Sequence, residues 1–523
     1  MPFIALAIGV DDTYIILGAW QRTDRRLSRQ QRLGEALREA GSAITVTSVT
    51  DCLSFGIGAF SSTPAISVFC KYIAAAILFD FLYQITFFTA IVAYGGIREE
   101  KGLHCMLLWQ RVDPKVIEET KQADYICPME KVYSLYGAFL CRAPVRICVF
   151  LVYFCYLAAS LYGCAKLKPT LIPNTLLVDD SPLRHYIGLA ESHIWSEGLM
   201  GRVYVNKAPD FAKNSSEVDK FLRFVKELEQ TPYSMGKRST QLWLREFLDY
   251  WQYFSSTQEK FYLDLQGFLD VSFNSQWRPY LRWVIDHANS SRRIVSRFYF
   301  TTGFQILDWN DRTAMQVKWR QVCARYPQYQ AFVYDEQNFY GDQVLALPST
   351  TLSLLGIAIL VMSVICVIFI SDPDIVFWVI FTLLSMDVGV AGFLSLWGAD
   401  LSPTTVVNIL MSIGLSVDFS THVGYRIFRT HNLDPDERIQ EAMEAIGWPV
   451  TQGGISTFLA IIIMIVVKSH VVRMFARTCV LVVVFGLFHG LVLLPVILRT
   501  CSSARPGKNR YEVQPKTRVL SVD

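Results

Sequence analysis

The chain has 523 residues, of which 52% are hydrophobic and 18% charged, and its mean hydropathy is +0.29. Soluble globular proteins carry about 25% charged residues, so an ordinary cytosolic enzyme is excluded. A net charge of +3 leaves no footprint for nucleic acid.

Nine apolar runs of roughly 18 to 23 residues mark a polytopic membrane protein. In chain order they are Phe3 to Trp20, Ser42 to Phe60, Ile73 to Tyr94, Ile147 to Ala165, Pro348 to Ile370, Ile375 to Trp397, Thr404 to Tyr425, Val450 to Val467 and Thr478 to Leu498. Lipid offers no partner to unpaired backbone groups, and the runs are twice the length of a barrel strand, so helices are expected. The short loop Gln21 to Arg32 holds Arg22, Arg25, Arg26, Arg29 and Arg32, and Arg426 and Arg429 follow another span directly. Such loops face the cytoplasm. Counting spans from there puts residues 96–146, a linker, and the tail 499–523 inside, and puts residues 166–347 outside or in a lumen. Two Asn-x-Ser/Thr sequons occur in the chain, at Asn214 and Asn289, and both fall in that outside stretch.

Of twelve cysteines only Cys323 lies in the outside stretch, so the domain has no internal disulfide and rests on its own core. Strand-like and helical runs alternate in it: Gly201 to Asn206, an amphipathic Ser216 to Gln230, Ile294 to Leu307, Trp309 to Arg325 and Tyr329 to Tyr334. That pattern reads as an α+β domain of split βαβ units.

The chain repeats itself. Ile8-Gly-Val-Asp-Asp, a basic loop and Gly34-Glu-Ala-Leu-Arg-Glu-Ala-Gly recur about 406 residues later as Ile413-Gly-Leu-Ser-Val-Asp, a second loop and Gln440-Glu-Ala-Met-Glu-Ala-Ile-Gly. Parallel repeats of this kind are a transporter feature. Six aspartates fall inside the runs: Asp11, Asp12, Asp51, Asp80, Asp387 and Asp418. An ionised carboxylate at mid-bilayer costs at least about 2.5 kcal/mol, so each needs a partner, a proton or water. Asp11 and Asp12, set against Asp418 across the repeat, are positioned to share protons or hold a monovalent cation. His422, one turn beyond Asp418, is the candidate relay group. Asp51, Asp80 and Asp387 read as residues that tie spans together, His470 and His489 as satisfied structural histidines, and Cys105 and Cys141 as inert thiols. Gly9, Gly56, Gly58, Gly414, Gly453 and Gly454 read as points of close helix approach. No catalytic or metal-ligating motif is present, and no cofactor, nucleotide-driven pump or hydrolase is expected.

These residues resemble the Patched and patched-related branch of the RND superfamily. The likeness rests on Gly9-Val-Asp-Asp, Ala40-Gly-Ser-Ala-Ile-Thr-Val-Thr-Ser-Val-Thr-Asp, Phe79-Asp-Phe-Leu-Tyr-Gln-Ile-Thr-Phe-Phe, Gly414 to Asp418 and Gln241-Leu-Trp-Leu-Arg-Glu-Phe-Leu-Asp. It implies an RND-type bundle, an outside domain of ferredoxin-like build, and a sterol-sensing domain whose C-terminal part, with three spans, is residues 1–95. One span at 147–165 precedes the outside domain, and a five-span bundle at 348–498 follows it. It further implies cation-coupled movement of a sterol or other membrane lipid, in the plasma membrane or an endosomal or secretory vesicle membrane, with a role in trafficking or secretion. The alternative is a non-transporting sterol- or lipid-sensing receptor or scaffold. Against the family pattern the first three spans and the first outside domain have no counterpart, so further in-frame sequence upstream of Met1 is expected.

The sidedness predicts glycans on both Asn214 and Asn289. Glycosidase treatment of protein from a glycosylating cell should raise its mobility in two steps as one sequon and then both are removed by mutation.

Overall fold

In a computed structural model the described residues are 2–25, 27–61, 63–103, 128–213, 215–253, 257–285, 292–305, 309–370, 372–430 and 434–501. The chain divides into two compact units. The first takes residues 1–167, 350–467 and 471–523, and the second takes 168–349 and 468–470.

The first unit opens with α1 (Pro2–Arg22), α2 (Arg29–Gly58) and α3 (Pro64–Tyr83), which continues through a π-helical turn at Gln84–Phe88 into α4 (Thr89–Glu100). Then come α5 (Pro128–Leu140) and α6 (Ala143–Lys166). The second unit holds α7 (Pro182–His193), β1 (Leu199–Val205), α8 (Ser215–Glu229), α9 (Trp243–Trp251), α10 (Phe261–Asp270), β2 (Leu281–Ile285), β3 (Arg293–Phe304), α11 (Trp309–Arg325) and β4 (Ala331–Tyr334). After α12 (Asn338–Phe369) the chain adds α13 (Pro373–Leu396), α14 (Pro403–Arg429), α15 (Pro435–Ile462) and α16 (His470–Phe488), which runs through a second π-turn at His489–Leu493 into α17 (Leu494–Cys501).

Helix starts follow local chemistry. Ser28 and Gln31 form a reciprocal capping box on α2. Asp372 and Ser402 cap α13 and α14 with side-chain oxygens, and each is followed by a proline at the first helical position, where a missing N–H costs nothing. Each of the nine apolar runs lies in helical structure, although Ser42 to Phe60 takes only the second half of α2 and Val450 to Val467 runs past the end of α15 through a 3-10 turn at Ile463–Val466. Among the described residues seven helices are long and apolar enough to cross a membrane, which is fewer than the nine spans expected. One of those outside the seven is α2, whose apolar density is diluted by threonines, serines and Asp51. A further difference lies in residues 96–146, read as a linker: α4 runs on to Glu100, and Pro128–Leu140 is an additional helix. That helix packs along α15 and is too short to span.

Burial sorts the helices. The apolar length of α14 is enclosed entirely, whereas α6 presents most of its surface outward, as a lipid-facing helix does. Where α6 meets α13 the backbones touch: a Cβ on Gly163 would stand 2.1 Å from the Gly392 carbonyl oxygen, and the Tyr156 hydroxyl occupies the space a side chain at Gly389 would need. Tyr156 also donates to the Ser385 carbonyl at 3.0 Å. Small residues here are a packing requirement.

In the second unit the strands form one antiparallel sheet in the order β2-β3-β1-β4, with chain order β1-α-β2-β3-α-β4 if α8 to α10 are taken as one helical crossover. β1 alternates buried Val203 and Val205 with outward Arg202 and Tyr204. Phe221, Phe224, Trp243, Phe300, Phe304 and Trp319 form the core between the sheet and its helices. Arg312 is buried with Asp335 as an ion pair and donates to Gln337 Oε1 at 2.7 Å, so the pair's charges are fully engaged. The sequence reading located β1, α8, β3, α11 and β4 but passed over α7, α9, α10 and β2. Cys323 is a free thiol, and burial pushes its pKa up to about 11, so it is unreactive in the folded domain. Cys141 is likewise pushed up to about 11 by burial and then by Asp436.

Gly392→Ala should force α6 and α13 apart at a cost of about 1–3 kcal/mol. The check is thermal unfolding of the purified chain in detergent, followed by size exclusion, where Val390→Ala, a change at a nearby buried position that adds no bulk, serves as the comparison.

Candidate functional site

The site is built on four helices of the first unit. α1 packs against α2 and α15, and α14 packs against the same two helices. Each Asp-bearing helix therefore touches the second helix of its own copy and that of the other copy. Repetition in the sequence has become a pseudo-twofold arrangement in space.

Asp12 is buried to 3% exposure, with Oδ1 3.4 Å from the Thr47 hydroxyl of α2; that hydroxyl also lies 3.0 Å from the Ile44 carbonyl, so it can serve either acceptor. One turn further along α2, Asp51 is fully buried, and its carboxylate stands against Gly414 of α14: a Cβ there would come within 2.4 Å of Oδ1. Asp418 and His422, one and two turns beyond Gly414, are each 7% exposed. Thr47, Thr50, Asp51 and Ser54 thus give α2 a buried polar track between the two Asp-bearing helices.

A matching contact exists on α1. A Cβ on Gly9 would lie 2.6 Å from Asp80 Oδ1 of α3. From the π-turn just beyond, Gln84 Nε2 donates to the Gly9 carbonyl at 2.7 Å and approaches Thr13 Oγ1 at 3.2 Å. The motif glycines are therefore not only points of helix approach: Gly9 and Gly414 each admit a carboxylate from a neighbouring helix. Asp51 and Asp80, read from sequence as ties between spans, sit beside the motifs themselves. The signal that could have found them is the glycine one turn before each motif aspartate.

The remaining expectations fall out as follows. Asp387 is buried on α13 beside Ser412 of α14, so it belongs to a different helix pair from Asp12. His489 is fully buried, with Nδ1 2.8 Å from the Phe485 carbonyl and Nε2 3.1 Å from Ser385 Oγ. Nδ1 therefore carries the proton and Nε2 accepts from the serine, which is a satisfied structural histidine. The Asp11 side chain, Asn214, Asn289 and Cys105 lie outside the described residues. Among the described residues no group of three or more His, Cys, Asp or Glu side chains is placed to hold a metal ion.

This helical bundle is that of a multi-pass membrane protein, and its fold is shared with the hedgehog release protein Disp from the water bear Hypsibius dujardini at a TM-score of 0.68 and 16% identity, over 95% of this chain and 62% of that one. Residues 1–94 match the Patched family model, described as Patched SSD. The chain is 28% identical to Patched-related protein 9 of Caenorhabditis elegans across 96% of its own length and 58% of that protein's. It is 22% identical to the NPC1-like intracellular cholesterol transporter 1 of Mus musculus, covering 95% of this chain and 42% of the mouse protein. The chain thus spans about half the length of these relatives, and the resemblance to the Patched and patched-related branch holds in a multi-pass membrane protein.

Gly414→Ala should displace the Asp51 carboxylate and lower stability by about 1–3 kcal/mol. In combination with Asp51→Ala the loss should be smaller than the sum of the two single changes, which a double-mutant cycle in detergent unfolding measures.

Proposed function

We propose that this chain belongs to an RND-type carrier of a sterol or other membrane lipid, driven by a monovalent cation or proton gradient acting on Asp11, Asp12 and Asp418. The observation that carries the reading is the burial of Asp12 and Asp418 on two repeat-related helices that share α2 as their common neighbour. Carboxylates held at that depth pay a large cost for carrying charge, which a proton or a small cation relieves. Binding and releasing that proton or cation changes the charge between the two copies, which is the step an ion-coupled carrier needs. His422 serves as a proton relay from Asp418. A sterol is the favoured cargo because the mouse relative is a cholesterol transporter and the matched segment is a Patched SSD. The βαββαβ order of the second unit supports a ferredoxin-like domain on the outer or lumenal face. The work is membrane transport with no covalent chemistry assigned to any residue.

Asp12→Asn and Asp418→Asn should each abolish gradient-dependent lipid movement while leaving surface delivery intact. Asparagine keeps the shape and much of the hydrogen bonding but cannot cycle a proton or bind a cation electrostatically. Lipid movement at the normal rate in both variants would overturn the coupling. Retention of both in the endoplasmic reticulum would show the carboxylates to be structural.

A further inference from the structure

Pro449 lies inside α15, where a proline has no N–H to take up the carbonyl of Ala445. Arg22, in the last turn of α1, donates Nη1 to that orphaned carbonyl at 2.7 Å and Nη2 to Glu39 Oε1 of α2 at 3.0 Å. From the other side Arg426, in the last turn of α14, stands 3.4 Å from Glu39 Oε1 and 2.5 Å from Glu441 Oε1 of α15. The repeat offset of 406 carries Glu39 onto Ala445. The terminal arginine of each Asp-bearing helix therefore crosses to the same position on the second helix of the other copy. All four site helices are tied together at one end.

A cavity opens behind this clasp, bounded by Ile15, Ala19, Ala43 and His422. Ile15 and Ala19 continue the face of α1 that carries Asp12, and His422 continues the face of α14 that carries Asp418. The cavity thus reaches from the helix ends to within one helical turn of the buried carboxylates. At its mouth Arg22, Arg426 and Arg429 face Glu39 and Glu441, which leaves an excess of positive charge. A positive ring at a constriction repels small cations.

Resting on the coupling reading above, we infer that this cavity is the inner vestibule of the ion path to Asp12 and Asp418, and that the Arg22–Glu39–Arg426–Glu441 clasp is its gate, closed in this structure. Glu39 is the keystone, since it is the acceptor common to both arginines. Opening requires the two copies to part at this end, so release of ions toward the basic-loop side is tied to the relative motion of the repeats.

The test is thiol accessibility in the full chain. Ala43→Cys should react slowly with a membrane-impermeant thiol reagent applied from the basic-loop side, as read by mass spectrometry of the peptide that carries it. Adding Glu39→Gln should raise that rate roughly tenfold, the scale of one charge-assisted hydrogen bond. Arg22→Lys keeps the charge but cannot fork between Glu39 and the Ala445 carbonyl, and should give an intermediate rate; it also supplies the reading if Glu39→Gln fails to fold. Equal rates with and without the clasp changes would overturn the gate, as would a fast rate with the clasp intact. These outcomes are independent of lipid movement in Asp12→Asn and Asp418→Asn, so failure of the gate and failure of ion coupling are separable.

Discussion

A carboxylate is far cheaper to keep in water than in hydrocarbon, and the first unit is arranged around that cost. α14 is enclosed along its apolar length because it carries Asp418 and His422 and receives Asp51 at Gly414. α2 sacrifices apolar density to hydroxyls because it runs between the two Asp-bearing helices. The outermost helices, such as α6, can then remain almost purely apolar toward lipid and bind inward through glycine contacts. One electrostatic demand at the centre explains why composition differs so sharply from helix to helix.

The two copies answer that demand differently. Near the motif glycine of α1 the carboxylate comes from α3, at Asp80, whereas near that of α14 it comes from α2, at Asp51. The offset of 406 carries Asp80 onto Gly486, and there the absent side chain makes room for the Phe419 ring, 2.4 Å from where a Cβ would be. An acid in one copy is thus matched by an aromatic contact in the other.

Much of this was legible in the sequence. Long apolar runs had to become helices because membrane backbone must satisfy itself internally. The repeat fixed which aspartates would correspond, and Asp12 and Asp418 do share α2 as a neighbour. Asp51 and Asp80 were not legible as members of the site, because their contacts with Gly414 and Gly9 join positions that only helix packing brings together. The helix at Pro128–Leu140 was hidden by its length, which is too short to register as a span. β2 was hidden because its exposed Arg282, Val284 and Ile285 break the alternation that identifies a half-buried strand.

The two π-turns, at Gln84–Phe88 and His489–Leu493, occupy corresponding places in the third helix of each copy. A π-turn is one residue inserted into an α-helix, and one residue turns everything beyond it by about 100° around the axis. The insertion therefore resets which side chains beyond it face the neighbouring helix, as the two contacts with α1 show. Asp80, before the first turn, meets Gly9, while Val92, beyond it, joins the apolar cluster of Ile16 and Trp20. A surplus residue of this kind is also a dislocation that can migrate one peptide at a time. Its passage would swivel the stretch it crosses without unwinding the rest, and the third helix of each copy carries one such joint.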